Sequence, residues 1–298
     1  PTWRGRRMES YRAGCRMVEV ADPVQETALP LRFVYPCHGD EQPLRFGPFE
    51  MSVAVDCPVE GHKLPLVVIS HGGRASALTH RDLACHLARS GFIVAMPEHI
   101  GDCRSDYSQS GKAQNLENRP RHIGLVIDAS LADPVVGPRI AARQIALIGH
   151  SMGGYTGLAV AGGHPSAGPH ETPDGQVQKV AVVHDDRVRA LVLMAPACAW
   201  YRERGTLRDV QVPMLLLVAE QDEIEAHLKI EYIARDCDPA HVKRRIVPMA
   251  GHHAFQSPFP AEMKLADFPA ARDPAGFDRA AFQPILHAEV VSFLRGTL

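Results

Sequence analysis

No stretch of this 298-residue chain approaches the roughly 18 consecutive apolar residues needed to cross a bilayer, so no membrane span is expected. The longest apolar candidates, 190–199 and 212–219, have the length of buried strands. An excess of one charge is also missing. Against 34 Asp and Glu stand 32 Lys and Arg, a net charge of −2, and no dense basic block stands out. That balance argues against a nucleic-acid partner. The seven cysteines are odd in number, scattered and never spaced C-x-x-C. Neither a zinc site, a thioredoxin motif nor a disulfide framework is expected from them; buried free thiols in a reducing cytoplasm are. Arg4, Arg6 and Arg7 lie near the start, but no apolar segment follows. No signal peptide is predicted, and a cytoplasmic location is expected. There is no internal repeat. What remains is ordinary globular composition, 45% hydrophobic and 22% charged, on a chain long enough for one α/β domain spanning 1–298.

The residue pattern supports that class. Alternation at 31–35 and 51–55 predicts strands near the start. Short apolar runs follow at 66–69, 92–96, 144–148, 188–194, 213–219 and 242–247. Between and after them lie helical spacings at 78–89, 118–132, 151–161, 224–235 and 284–294. Strands without clear alternation, separated by helices, imply a mostly parallel central sheet flanked by helices on both faces. Two irregular insertions interrupt the rhythm, near 162–187 and 256–282. The first is rich in Gly, Pro and His, the second in Pro, Ala and Phe. Long irregular segments in a compact domain are usually functional or mobile, and both are expected to border a substrate site.

The chemistry concentrates at Gly149-His150-Ser151-Met152-Gly153-Gly154, where a buried strand turns directly into a helix. A G-x-S-x-G elbow needs small residues because the serine backbone is strained and the strand and helix pack closely. The helix start also offers free N–H groups near a developing oxyanion. A plain Gly-rich turn with a capping serine is the simpler alternative; strand before and helix after favour Ser151 as a nucleophile. Such a hydroxyl needs a general base. His252 and His253 follow the last strand and are the candidates. The base needs a carboxylate to hold its tautomer, and in this architecture the chain order is Ser, acid, His. Asp222 satisfies that order, with Glu220 and Glu223 as competitors. No carboxylate follows the preceding strand until Glu203. Oxyanion donors are expected from the N–H of Met152 and from the loop His71-Gly72-Gly73-Arg74, where Gly73 is favoured over Arg74.

Several stretches together resemble the α/β-hydrolase superfamily. The resemblance is to the bacterial branch often called predicted dienelactone hydrolases, related to platelet-activating-factor acetylhydrolases. The matching residues are Pro65-Leu-Val-Val-Ile-Ser-His-Gly72, Gly91-Phe-Ile-Val-Ala-Met-Pro-Glu-His99 with Gly101 and Asp102, and the pair Arg119-Pro120. The elbow 149–154, Asp186-Arg-Val-Arg-Ala190 and Ala250-Gly-His-His-Ala-Phe255 complete the set. The resemblance implies an α/β-hydrolase fold, Ser151 as nucleophile, His252 as base, and donors at Gly73 and Met152. It implies no metal and no organic cofactor. The acetylhydrolases usually place their acid after the earlier strand; this chain lacks one there and sides with Asp222. Enzymes characterised as dienelactone hydrolases typically use a cysteine nucleophile, so that name does not identify the substrate. The expected activity is hydrolysis of a small-molecule carboxylic ester or lactone through an acyl-serine. The alternatives are an acyltransferase, thioesterase or cyclising enzyme with the same triad, and a small-molecule binding module without turnover. With no large apolar lid helix in the pattern, a small or medium acyl group is expected.

Overall fold

The computed structural model describes residues 11–224, 229–265 and 268–298. The chain opens with β1 (Arg12–Asp22), β2 (Thr27–Cys37), β3 (Gln42–Phe46) and β4 (Phe49–Val55), followed by β5 (Leu64–Ser70). Helix α1 (Arg81–Arg89), β6 (Ile93–Pro97), α2 (Ala113–Ala132), β7 (Ile140–His150) and α3 (Met152–Val160) come next. A two-strand ladder, β8 (Ser166–Ala167) with β9 (Gln178–Lys179), lies in the first insertion. Then come β10 (Val188–Met194), β11 (Met214–Ala219) and β12 (Val242–Val247), and the chain closes on a helix at Arg279–Thr297.

Among the described residues one sheet has the order β12-β11-β10-β7-β5-β6-β2-β1-β4-β3. The run from β12 to β6 is parallel; β2 joins β6 antiparallel. The chain crosses itself at β5, which has β6 on one side and β7 on the other. Such a switch point opens a crevice at the carboxyl ends of the strands. Register places the crevice walls side by side: Ser70 at the end of β5 pairs with Gly149 near the end of β7.

Successive residues of the central strands feed two different cores, because strand side chains alternate in direction. Val67, Ile69, Ala146 and Ile148 join one, with Leu83 and Leu87 of α1 and Leu286, Val290 and Leu294 of the last helix. Leu66, Val68, Ile145 and Leu147 join the other, with Ile123 and Val126 of α2 and Leu158 of α3. Full burial of each such Val, Leu or Ile side chain contributes about 1.5–3 kcal/mol.

Three boundaries differ from the sequence expectation for identifiable reasons. Helix α2 starts at Ala113 rather than 118, with Pro120 in its interior. A proline there cannot donate to the carbonyl four residues back. That carbonyl, on Leu116, accepts the Tyr155 hydroxyl at 2.8 Å instead. The last helix starts before Pro284 because Asp278 caps it, accepting the Ala281 N–H at 3.0 Å. Of the helix expected at 224–235, residues 225–228 lie outside the described residues, and Glu231–Asp236 is helical. Arg4, Arg6 and Arg7 also lie outside them. Among the described residues no helix is long and apolar enough to cross a membrane.

Candidate active site

The elbow is built by close approach. A Cβ on Gly149 would lie 2.1 Å from the Gly153 carbonyl oxygen, and one on Gly153 would lie 1.9 Å from the Ser70 carbonyl oxygen. Only glycine permits that contact between β7, α3 and β5. Ser151 itself sits at φ 54° and ψ −116°, a strained conformation for a residue with a side chain. Its N–H donates to the Met194 carbonyl at 3.0 Å, and its carbonyl accepts the Ala197 N–H at 2.9 Å. The strain is therefore held by β10 as well as by the elbow.

Of the two candidate bases, His252 has the carboxylate. Its Nδ1 lies 2.9 Å from Asp222 Oδ2 and 3.2 Å from Oδ1. An ionised carboxylate only accepts, so Nδ1 carries the proton and Nε2 keeps a lone pair. Asp222 accepts the Ile224 N–H as well, at 2.9 Å. Its competitors take other tasks: Glu223 accepts the His252 backbone N–H at 3.1 Å, and Glu220 that of Met249 at 2.7 Å. His253 also faces the cavity, but its buried Nδ1 has no hydrogen-bond partner. Burial, with the His252 charge adding, lowers its pKa to about 4.

His150 ties the two halves together. Its Nε2 lies 2.9 Å from the His252 carbonyl oxygen, which can only accept, so Nε2 bears the proton. Burial foremost, then the repulsion that a second protonated ring beside His252 would meet, holds the His150 ring well below the usual histidine range. It stays neutral and keeps this bond.

The loop after β5 brings Gly73 beside Met152; a Cβ on Gly73 would lie 3.1 Å from Met152 Cγ. Arg74 is occupied, since its N–H donates to the Asp102 backbone carbonyl at 3.1 Å and to Oδ1 at 3.3 Å. Asp102 in turn is held by the fully buried Arg119, whose Nη1 lies 2.9 Å from Oδ2, and by Asn115 Nδ2 at 3.0 Å. Arg119 also reaches Thr156 Oγ1 at 3.1 Å, Ser70 Oγ at 3.4 Å and the His71 carbonyl. It clamps the end of β5 to α3. From Ser70 a chain of bonds continues through His99 Nε2 (2.9 Å) and His122 Nδ1 (3.1 Å from His99 Nδ1). The chain ends with His122 Nε2 at Gln25 Oε1, 2.5 Å away, and Asp22 Oδ2 lies near the same nitrogen at 3.2 Å. Sequence reasoning noted Asp102 and Arg119 but gave neither a role, because the four elements they join are separated along the chain.

Gly73, Ser151 and His252 line one cavity of about 230 Å³, with Phe49, Arg104, Ile224, Gln256, Phe259 and Phe268 among its other walls. Asp222 stands behind His252. The insertion at 256–282 supplies Gln256, Phe259, Phe268 and Ala270 to the cavity lining. In the insertion at 162–187, Glu171 accepts Trp200 Nε1–H at 2.7 Å, and its carbonyl accepts the N–H of Ala113 at the start of α2. Phe49 was missed because it arrives from β4, far from the motifs in sequence. Among the described residues no three His, Cys, Asp or Glu side chains form a metal-binding group.

Comparison with known proteins bears on the fold. The family described as serine aminopeptidase, S33, matches residues 61–170, a span that holds the Gly73 loop and the elbow. A ferulic acid esterase from Streptomyces cinnamoneus superposes with a TM-score of 0.71 at 18% identity, covering 99% of this chain and 92% of its own. A dienelactone hydrolase from Anabaena variabilis superposes with a TM-score of 0.57 at 15% identity, covering 97% of this chain and 100% of its own. No curated protein matches by sequence. These likenesses establish the α/β-hydrolase fold.

Proposed function

We propose that this chain, an α/β-hydrolase by fold, hydrolyses carboxylic esters or lactones through an acyl-serine intermediate. Ser151 Oγ attacks the carbonyl while His252 Nε2 accepts its proton. Asp222 holds the imidazole in the required tautomer and stabilises the imidazolium. The N–H groups of Gly73 and Met152 receive the oxyanion; as the first helical residue of α3, Met152 has no intrahelical acceptor for its N–H. His252 then protonates the leaving alcohol, and the same ring activates the water that releases the acid.

The observation that carries this reading is the 2.9 Å contact of His252 with Asp222 at a cavity that also holds a strained Ser151. One structural neighbour is named an esterase and the other a lactone hydrolase, which agrees with it. The test is hydrolysis of p-nitrophenyl esters by the wild type and by Ser151→Ala. Turnover that vanishes in the variant supports the assignment. Asp222→Asn is expected to lower kcat by about 10⁴ through the wrong tautomer. Ester turnover that survives Ser151→Ala would sink the proposal.

A further inference from the structure

The cavity beside Ser151 has an aromatic wall that the triad does not use. Phe49 from β4 and Phe259 from the 256–282 insertion meet with ring centroids 5.8 Å apart and planes at 60°. Phe259 meets Phe268 at 5.4 Å and 69°. All three line the cavity.

The wall is held in place. The Arg81 guanidinium lies 5.0 Å from the Phe49 centroid, and that arginine is fixed by hydrogen bonds to the Glu50 and Pro258 carbonyls. Arg279 lies 5.6 Å from the Phe259 centroid and is fixed by Asp273 at 2.8 Å. Phe259 also sits between Pro258 and Pro260, which restrict the backbone on either side. A rigid wall of rings favours a flat, rigid guest over a flexible chain, because little conformational freedom is lost on binding.

Size points the same way. At about 230 Å³ the cavity is about half as large again as the ~150 Å³ apolar cavity that takes up benzene. One ring and a short linker fit within it.

We propose that Phe49, Phe259 and Phe268 form an acyl pocket selective for esters whose acid part ends in a single aromatic ring. This rests on the reading of Ser151 as the residue that accepts the acyl group. The test has two arms. The first compares kcat/KM for p-nitrophenyl 3-phenylpropanoate and phenylacetate with the hexanoate and octanoate esters. The aryl esters are expected to lead by about tenfold, the size of two ring–ring contacts. In Phe259→Leu, and separately in Phe49→Leu, the aryl-to-alkyl ratio is expected to fall by about threefold or more, one such contact.

The second arm measures binding of 3-phenylpropanoate and of octanoate to Ser151→Ala by calorimetry, where the aryl acid is expected to bind about tenfold tighter. Equal or reversed preference in either arm overturns the pocket assignment, as does a ratio indifferent to both Phe variants. If no ester is turned over, the functional reading falls by itself, and the calorimetric ratio still decides the pocket.

Discussion

Replacing Arg119 by Met tests whether the loop carrying Gly73 is held by the clamp beneath it. The guanidinium is fully buried, 2.9 Å from Asp102 Oδ2, and also serves Thr156, Ser70 and the His71 carbonyl. Methionine fills much of the volume but leaves the 1%-exposed Asp102 carboxylate without its cation. Breaking a buried pair from one side costs about 3–5 kcal/mol, because the surviving charge is uncompensated. For a chain of this length that is a fall in Tm of roughly 6–10 °C at about 2 °C per kcal/mol. The double variant Arg119→Met/Asp102→Asn removes the stranded charge and is expected to recover part of the loss, so the two changes are not additive. Activity reports on the loop separately. Asp102 accepts the Arg74 N–H, so its displacement loosens the peptide next to Gly73. At working temperature kcat is expected to fall by about tenfold or more, with the 10²–10³ that outright loss of one oxyanion donor brings as the upper bound. Thermal melts and steady-state kinetics on the wild type, the two single variants and the double variant decide the matter. A single-variant Tm within about 2 °C of wild type, or a double variant as destabilised as the sum of the singles, refutes the reasoning.

Acid should weaken the fold in a defined window. His80 and His253 have pKa values lowered to about 4, and His122 to about 3, in each case chiefly by burial. The unfolded chain binds more protons than the folded one between these values and about 6.5, so stability rises with pH across that window and is lost as pH falls through it. Tm is expected to drop from pH 6.5 to 4.5 and to drop less in His253→Gln; a Tm flat over that range contradicts the assignment. His150→Phe removes the N–H that holds the His252 carbonyl at 2.9 Å. Leaving that carbonyl unpaired costs about 1–3 kcal/mol, and kcat is expected to fall about tenfold with KM little changed. His150→Gln, which offers a donor again, should restore part of it. Equal kinetics in Phe and Gln variants would show that the bond does not position the base.

The central strands, the elbow and the candidate groups after strand ends were legible in sequence because each is a local property. A short apolar run, the glycines flanking Ser151, and an acid and two histidines just after successive strands are each written within a few residues of a strand end. Asp222 was singled out by chain order alone, but its geometric distinction from Glu223 needs the fold. Both follow the same strand, yet one carboxylate meets the His252 ring and the other its backbone N–H. The same holds for His252 against His253: they are adjacent in sequence, yet His252 Nδ1 meets a carboxylate while His253 Nδ1 has no hydrogen-bond partner.

The sequence alone therefore determined the elements and the candidate groups, since periodicity, turn chemistry and burial preference are written in neighbouring residues. Only the tertiary structure decided which groups meet. Arg119 of α2, Asp102 of the loop after β6, Ser70 of β5 and Thr156 of α3 form one buried cluster because sheet order sets β5 between β6 and β7. Phe49 reaches the cavity from the β3–β4 hairpin for the same reason. Contact across a sheet depends on strand order and register, and those follow from the packing of the whole chain rather than from any short segment of it.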